Sequence, residues 1–510
     1  MGGRSRSPVR CLSVGHSVQF FHEADPDDVE AWYVLPQEAT SSSPLLLQSH
    51  GWLDGTLQEE FCPRSYCPEQ PVSWPLVVPR HDISFTDRSG RRCPRESARA
   101  RRVQVHLVRE LAARLPLLSV LLVRRAGSLP ITREGQFGST PSDMYMSALI
   151  RLGIMPHPQL AGHDFELFSL FVNDSEDLER VVDMAPQIAS TLRGRHKASF
   201  WMLWPVEWED CGCTEMGYVV RESFFRAMRS CQASGICSAF PHPAELYELI
   251  ASKSWKVSLS LDPLAMLPAA VVVSRSSVES DPVSAARKAV FGLEQIRRQN
   301  PFPVLPGEPA APSSVNEFGV KRGVVKLGWS WEAKDVMVFN SEEELGWRMA
   351  EVLLESSGCT ASECIVQEWV DFDFELRCYF VPPRGWVSSH FLKPERIEWN
   401  AWGEPCAQGR PRGFELLTEE MCLSRWGQDE GAMLSAKEQA VEISQHLLAW
   451  LLPTGSRPVP MIRLDFMTRR VSSGKARVVF GEFCEMGAAM LGWKEGTVTM
   501  WRAALDSALR

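Results

Sequence analysis

The stretches MIRLDFM (461–467) and ARVVFGEFCEM (476–486), joined through SSGK (472–475), decide how the fold is read. Two apolar runs of strand length around a short Ser/Gly turn predict a β-hairpin. Each run carries an acid in apolar company, Asp465 in the first and Glu482 in the second. If the strands pair, the two carboxylates project from neighbouring strands towards one face. Like charges held that close either share a proton or hold a cation, and magnesium, which takes hard oxygen ligands, is the natural one. The plainer alternative is two charges on the solvent face of an edge hairpin. Ile462, Leu464 and Phe466 surround Asp465 so closely that alternation does not choose between the two.

Upstream of the hairpin come a strand GVVKLGW (323–329), a β segment DVMVF (335–339) and a helix SEEELGWRMAEVLLES (341–356). Strands CIVQEWV (364–370), ELRCYFV (375–381) and WVSSHFL (386–392) follow, then a helix over 435–452 and, after the hairpin, one over 496–509. Strands that succeed one another through short turns predict an α+β fold with antiparallel sheets, unlike the strict alternation of a doubly wound one. Lys326 follows two valines in a buried-looking strand, where a lysine either snorkels to the surface or meets an anion. Lys253 and Lys256, in SKSWKVSLS (252–260), lie between a helix and the strand PAAVVV (268–273), and fixed cations of this kind suit phosphate oxygens. The acidic turn between CIVQEWV and ELRCYFV is either a hinge or the bend of a plain hairpin. A hinge would offer backbone groups to an adenine edge, with Glu368 or Asp373 within reach of a ribose hydroxyl. Any one of these lysines alone reads as surface charge.

The remainder of the chain sets bounds. Its 510 residues suit two to four domains, and 45% hydrophobic with 23% charged residues is the composition of a globular protein. With 54 Lys and Arg against 63 Asp and Glu the formal charge is −9, which argues against a surface given over to nucleic acid. No apolar run approaches the roughly 20 residues that cross a bilayer. Fourteen cysteines are too dilute for a disulfide scaffold and badly spaced for zinc, so reduced thiols and a cytoplasmic location are expected. Residues 1–190 have no legible fold, and their arginine-rich stretch 88–102 reads as a solvated face. A small α/β unit is expected over 195–255, and a Pro-rich linker or insertion over 301–315. Neither a GxGxxG fingerprint nor a Walker-type loop occurs.

Taken in order, these parts resemble the ATP-grasp superfamily over about residues 195–510. The match consists of a short α/β pre-domain, Lys253 before a Pro-x-x-Val strand, Val-Val-Lys326, the hinge strand VQEWV, Glu375-Leu-Arg377, Arg463-Leu-Asp465-Phe and GEFCE with Glu482 and Glu485. The resemblance implies an ATP-grasp fold of two α+β subdomains over 256–510. Lys253 and Lys326 would hold ATP phosphates, and Gln367, Glu368, Trp369, Val370 and Asp373 would line the nucleotide. Asp465, Glu482 and Glu485 would bind Mg2+, and Arg377 and Arg463 would contact phosphate or an acyl phosphate. The implied activity is Mg-ATP-dependent ligation of a small-molecule or peptide carboxylate to an amine or thiol, with acceptor recognition expected in 394–430. One position departs from the pattern: where the family ends in Glu-x-Asn, this chain has Glu482-Phe483-Cys484, and a thiol is a poor ligand for magnesium. KLGWSWEAKD (326–335) and ELRCYF are also similar to the ATP-grasp-like cell-division-cycle family of assembly chaperones. That similarity implies a non-catalytic ATP-binding module with a protein client as the alternative.

Overall fold

The structure is a computed structural model. It describes residues 17–22, 32–34, 46–57, 76–79, 101–102, 108–110, 117–125, 165–172, 174–203, 208, 219–303, 315–316, 319–320, 322–329, 336–355, 359, 361–381, 394–402, 414–451, 461–484, 493 and 496–509. Glu485, the strand expected at 386–392, most of the Pro-rich segment and all but Arg101 and Arg102 of the arginine-rich stretch lie outside them. The chain divides into two compact units, residues 1–202, 230–238 and 508–510 in the first and 203–229 with 239–507 in the second.

In the first unit the strand Leu118–Arg125 takes up all but the first residue of an apolar run LLSVLLV (117–123) and is buried from Leu118 to Arg124. It pairs in parallel with Phe165–Val172 on one side and His196–Met202 on the other. A strand apolar on both faces suits this setting, because parallel sheets are covered on both sides. The strand expected to open a separate α/β unit near residue 195 therefore finds its neighbour at 118–125. Strand periodicity reads out local pattern, not a partner 78 positions away.

The second unit is α+β, and its described residues form two larger antiparallel sheets besides the short pair Val315–Asn316 with Gly319–Val320, as the element order implies. The first sheet contains β1 (Ala270–Ser274), β2 (Gly323–Leu327), β3 (Val336–Phe339) and β4 (Glu363–Glu368), in the order β1-β4-β2-β3. The second contains β5 (Phe374–Phe380), β6 (Arg396–Trp402), β7 (Phe414–Leu417), β8 (Ile462–Ser472) and β9 (Lys475–Cys484), in the order β7-β6-β5-β8-β9. Because β4 and β5 belong to different sheets, residues 369–373 are a hinge and not the bend of a hairpin.

Each sheet gives one face to helices. Val325, Leu327, Cys364 and Val366 pack on Ala286, Ala289 and Leu293 of α1 (Pro282–Gln299) and on Leu345 and Met349 of α2 (Glu342–Ala350). The start of α1 is fixed by Asp281, whose Oδ1 accepts from the backbone N–H of Val283 and Ser284 at 3.0 Å, with Pro282 in the first turn. Phe374, Leu376, Leu464, Phe466 and Phe480 pack on Ala436, Ala440, Ile443 and Leu447 of α3 (Glu430–Leu451). That helix begins five residues before the expected 435, because Asp429 accepts from Ala432 N–H at 3.0 Å and caps it. The opposite face of each sheet is left for the polar residues described next.

Candidate functional site

Alternation along β5 and β8 sends Leu376, Cys378, Leu464 and Phe466 to the helix side and Glu375, Arg377, Tyr379, Arg463 and Asp465 to the other face. In β9 the alternation breaks. Asp465 pairs with Glu482 and Phe466 with Phe480, so Gly481 is the extra residue of a β-bulge. Ala476, Val478 and Phe480 face the helix before the bulge and Phe483 after it. The bulge therefore turns Glu482 and Cys484 onto the polar face; an unbroken period of two would have aimed Glu482 into the core. A Cβ at Gly481 would stand 3.1 Å from the Asp465 carbonyl oxygen, tighter than ordinary contact. One register line across the sheet then reads Glu398, Arg377, Asp465, Glu482.

Three lysines gather at the Glu482 end of this line. Lys253 follows the helix Ala244–Ser252 with φ at +54°, a left-handed conformation that an L side chain other than Asn rarely takes. Its Nζ is 3.8 Å from Glu482 Oε2, whose side chain remains 35% exposed. Lys256, only 1% exposed, donates to the Gly481 carbonyl. Lys326, on the free face of β2, donates to Gln367 Oε1 at 2.7 Å. Burial lowers the Lys256 pKa to about 8, with Glu482 pulling it back up and Lys253 pushing it further down. Burial also takes Lys326 well below the usual lysine range, helped by the charges of Lys256 and Lys253. Glu482 is affected oppositely: burial opposes its charge, but Lys253, Lys256, Lys326 and Arg463 bring it down to about 2. Lys256 and Lys326 thus hold their protons loosely, and an added anion would tighten that hold.

Asp465 is held differently. Arg463 grips it with a two-pronged hydrogen bond, Nε to Oδ1 and Nη2 to Oδ2, both 2.8 Å. The Nε of Arg377 stands 3.7 Å from Oδ2. Cys484 receives a hydrogen bond from Arg463 Nη2 at 3.0 Å, and its Sγ lies 3.5 Å from Asp465 Oδ2. Ligand atoms of Asp465, Glu482 and Cys484 all lie within 4.8 Å of one another. The two carboxylates fit a hard cation in charge and spacing. The thiol adds nothing for magnesium, and Arg463 would have to yield an oxygen of Asp465.

The hinge residues separate. Gln367 faces the lysines, whereas Glu368 points to the opposite side of β4. There it accepts from Arg297 Nε at 3.2 Å and Ala269 N–H at 2.9 Å, and also pairs with Arg297 Nη2. The ribose contact expected of Glu368 is thereby corrected: its carboxylate is buried and spent on a structural pair. Asp373 Oδ2 accepts from Trp426 Nε1 at 2.8 Å and from Arg470 N–H at 2.9 Å, which ties the hinge to the second sheet. Trp369 lies under the Arg322 guanidinium at 3.7 Å, and Val370 is half-buried beside it. Lys256 was visible in the sequence beside Lys253 but carried no signal of its burial. Tyr379 gave only its place in the strand ELRCYFV, and Glu398 and Asn400 only theirs in the segment 394–430.

No protein-family model matches the chain, and no curated protein matches it. Solved structures do match. D-cycloserine synthetase DcsG is 17% identical, with 77% of this chain and 100% of that one covered at a TM-score of 0.43. The D-alanine–D-alanine ligase of Bacillus anthracis is 11% identical over 78% of this chain and 98% of its own, at 0.42. VanG D-Ala:D-Ser ligase of Enterococcus faecalis is 11% identical over 78% and 98%, at 0.43. Likenesses this distant leave the functional reading to the chain's own side chains.

Proposed function

We propose that the chain binds ATP with its phosphates on Lys253, Lys256 and Lys326. We further propose that it is an ATP-dependent ligase of the ATP-grasp kind, joining a small-molecule or peptide carboxylate to an amine or thiol. The observation that carries this reading is the lysine trio, Lys256 buried and Lys253 and Lys326 half-buried, facing the single carboxylate of Glu482. Buried cations need partners, and a polyphosphate supplies the negative charge this cluster lacks. Gln367, Trp369 and Val370, at the hinge between the sheets, are the proposed neighbours of the base.

In the proposed reaction a carboxylate oxygen attacks the γ-phosphorus, the bond to the β,γ-bridging oxygen breaks, and ADP leaves. The nucleophile's lone pair then attacks the carbonyl carbon of the acyl phosphate, inorganic phosphate departs, and the nucleophile loses a proton. Asp465 sustains the charge of the buried Arg463, and with Glu375 that of Arg377. Both arginines are proposed to stabilise charge on the transferred phosphoryl oxygens. Asp465 and Glu482 would hold magnesium, which when bound would draw charge from the phosphate oxygens. Among the described residues no helix is long and apolar enough to cross a membrane; a cytoplasmic location is part of the proposal.

A second reading, an ATP-binding assembly or regulatory module without turnover, is favoured by the thiol of Cys484 and by the Arg463 grip on Asp465. Calorimetric titration with ATP, followed by ADP release with panels of carboxylates and amines, separates the two. Saturable ATP binding with acceptor-dependent ADP release supports the ligase. Binding without ADP release under any pairing supports the module, and no ATP binding sinks both.

A further inference from the structure

Next along the polar face of the second sheet, on β6, stand Glu398 and Asn400, 4% and 1% exposed. Each has one atom committed. Tyr379 OH donates to Glu398 Oε2 at 2.8 Å, and Asn400 Nδ2 donates to Glu375 Oε2 at 2.8 Å. Those two bonds fix both side chains, and because the Asn400 amide nitrogen is spent on a carboxylate, its oxygen must point the other way. Glu398 Oε1 and Asn400 Oδ1 are left buried without a hydrogen-bond partner among the described residues. Buried acceptors are nearly always satisfied. Here two of them, two residues apart on one strand and on one face, both lack donors.

Charge narrows the missing group. On this stretch the carboxylates of Glu375, Glu398 and Asp465 meet the guanidinium groups of Arg377 and Arg463, so acids outnumber bases. Asp465 engages both arginines, and Glu375 takes a further hydrogen bond from Arg377 Nη2 at 3.3 Å. Arg396 is the next polar-face residue of β6, but it is exposed. Burial raises the Glu398 pKa, with the Tyr379 hydroxyl and the charges of Arg396, Arg463 and Arg377 acting against the rise. The buried part of the face thus carries one acid more than it has bases and leaves two acceptors without donors. A thiol supplies one weak donor, a hydroxyl one donor without charge, and a primary ammonium three donors with charge.

We infer that Glu398 and Asn400, positioned by Tyr379 and Glu375, form the subsite for the primary ammonium group of a small amine or amino-acid substrate. The inference rests on the ligase reading and selects the amine over the thiol as its nucleophile, the bound ammonium passing one proton to the Glu398 carboxylate before the amine lone pair attacks. Glu398 and Asn400 set specificity here by binding the group.

The test uses the full chain with ethanolamine and alanine, each paired with its oxygen counterpart, ethylene glycol and lactate, with and without Mg-ATP. Calorimetry and thermal shift are the readouts. At least one amine is expected to bind, at least tenfold tighter than its counterpart, and Glu398→Gln should lower amine affinity about tenfold or more, as loss of a charged hydrogen bond implies. Asn400→Asp adds a charge at the same place and should tighten amine binding, which keeps the test open if Glu398→Gln fails to fold. The ATP response of each sample reports separately on the nucleotide site. ATP binding with no amine binding, or amine affinity unmoved in Glu398→Gln, overturns this subsite and leaves the nucleotide reading intact. Amine binding with no ATP response overturns the nucleotide reading and supports the subsite.

Discussion

Lys256→Met should make the protein more stable and less able to hold ATP. The buried Lys256 ammonium has its pKa lowered from 10.5 to about 8. At pH 7 both folded and unfolded chains carry the proton, so the folded state bears the whole cost of that shift, about 3 kcal/mol at 1.36 kcal/mol per pKa unit. Between pH 8 and 10.5 the unfolded chain holds a proton the folded chain has shed, so stability gained from this group rises with pH across that window. Methionine keeps the stem and removes the charge, at the loss of the hydrogen bond to the Gly481 carbonyl, worth about 1–2 kcal/mol. The net expectation at pH 7 is a gain of about 1–2 kcal/mol, read as a higher urea midpoint with unchanged slope, and a gain that shrinks towards pH 10. The same variant should lose most of the stabilisation that ATP gives the parent. A variant that is destabilised at pH 7 while responding fully to ATP would refute the reasoning, since Lys256 would then be a structural cation.

Lys326→Met should fold and bind ATP at least tenfold more weakly, as loss of a charge-assisted contact of 1.5–3 kcal/mol implies; calorimetry checks it. ATP binding near pH 8 should take up protons, because an anion raises the pKa of Lys256 and Lys326. Binding enthalpies measured in buffers of different ionisation heat would vary accordingly, and identical enthalpies would count against the cluster. Asp465→Asn and Glu482→Gln should each weaken Mg-ATP binding far more than binding of metal-free ATP. Equal effects on the two would remove the carboxylates from the metal's account. Cys484→Asn supplies an oxygen ligand where the thiol stands and should increase magnesium-dependent ADP release, if the thiol is what limits the site.

The hairpin was legible because its turn and two apolar runs are local signals, and its register brings Asp465 opposite Glu482. The face that Glu482 occupies was harder to read, since it depends on the bulge at Gly481, and one extra residue reverses every later side chain. The sidedness of Gln367 and Glu368 was hidden for another reason. β4 is buried on both faces from Cys364 onward, so its sequence does not alternate between polar and apolar. Lys326 announced itself by its apolar neighbours, whereas Lys256 lies in a helix of five residues whose burial comes from a strand more than 200 positions away. β6 falls in the segment 394–430 where acceptor recognition was expected. Which of its residues lacked a partner could not be read without the Tyr379 and Glu375 bonds. Pairing of Leu118–Arg125 with His196–Met202 was likewise invisible to any local pattern.

Phosphate recognition by Lys253, Lys256 and Lys326 is open to one calorimetric comparison on the full chain at pH 7. ATP and adenosine present the same base and ribose, so only the phosphates separate them. Saturable ATP binding to one site is expected, with adenosine weaker by at least a hundredfold, as the loss of two or more charge-assisted contacts implies. Equal affinities for ATP and adenosine, or no binding of either, would contradict it.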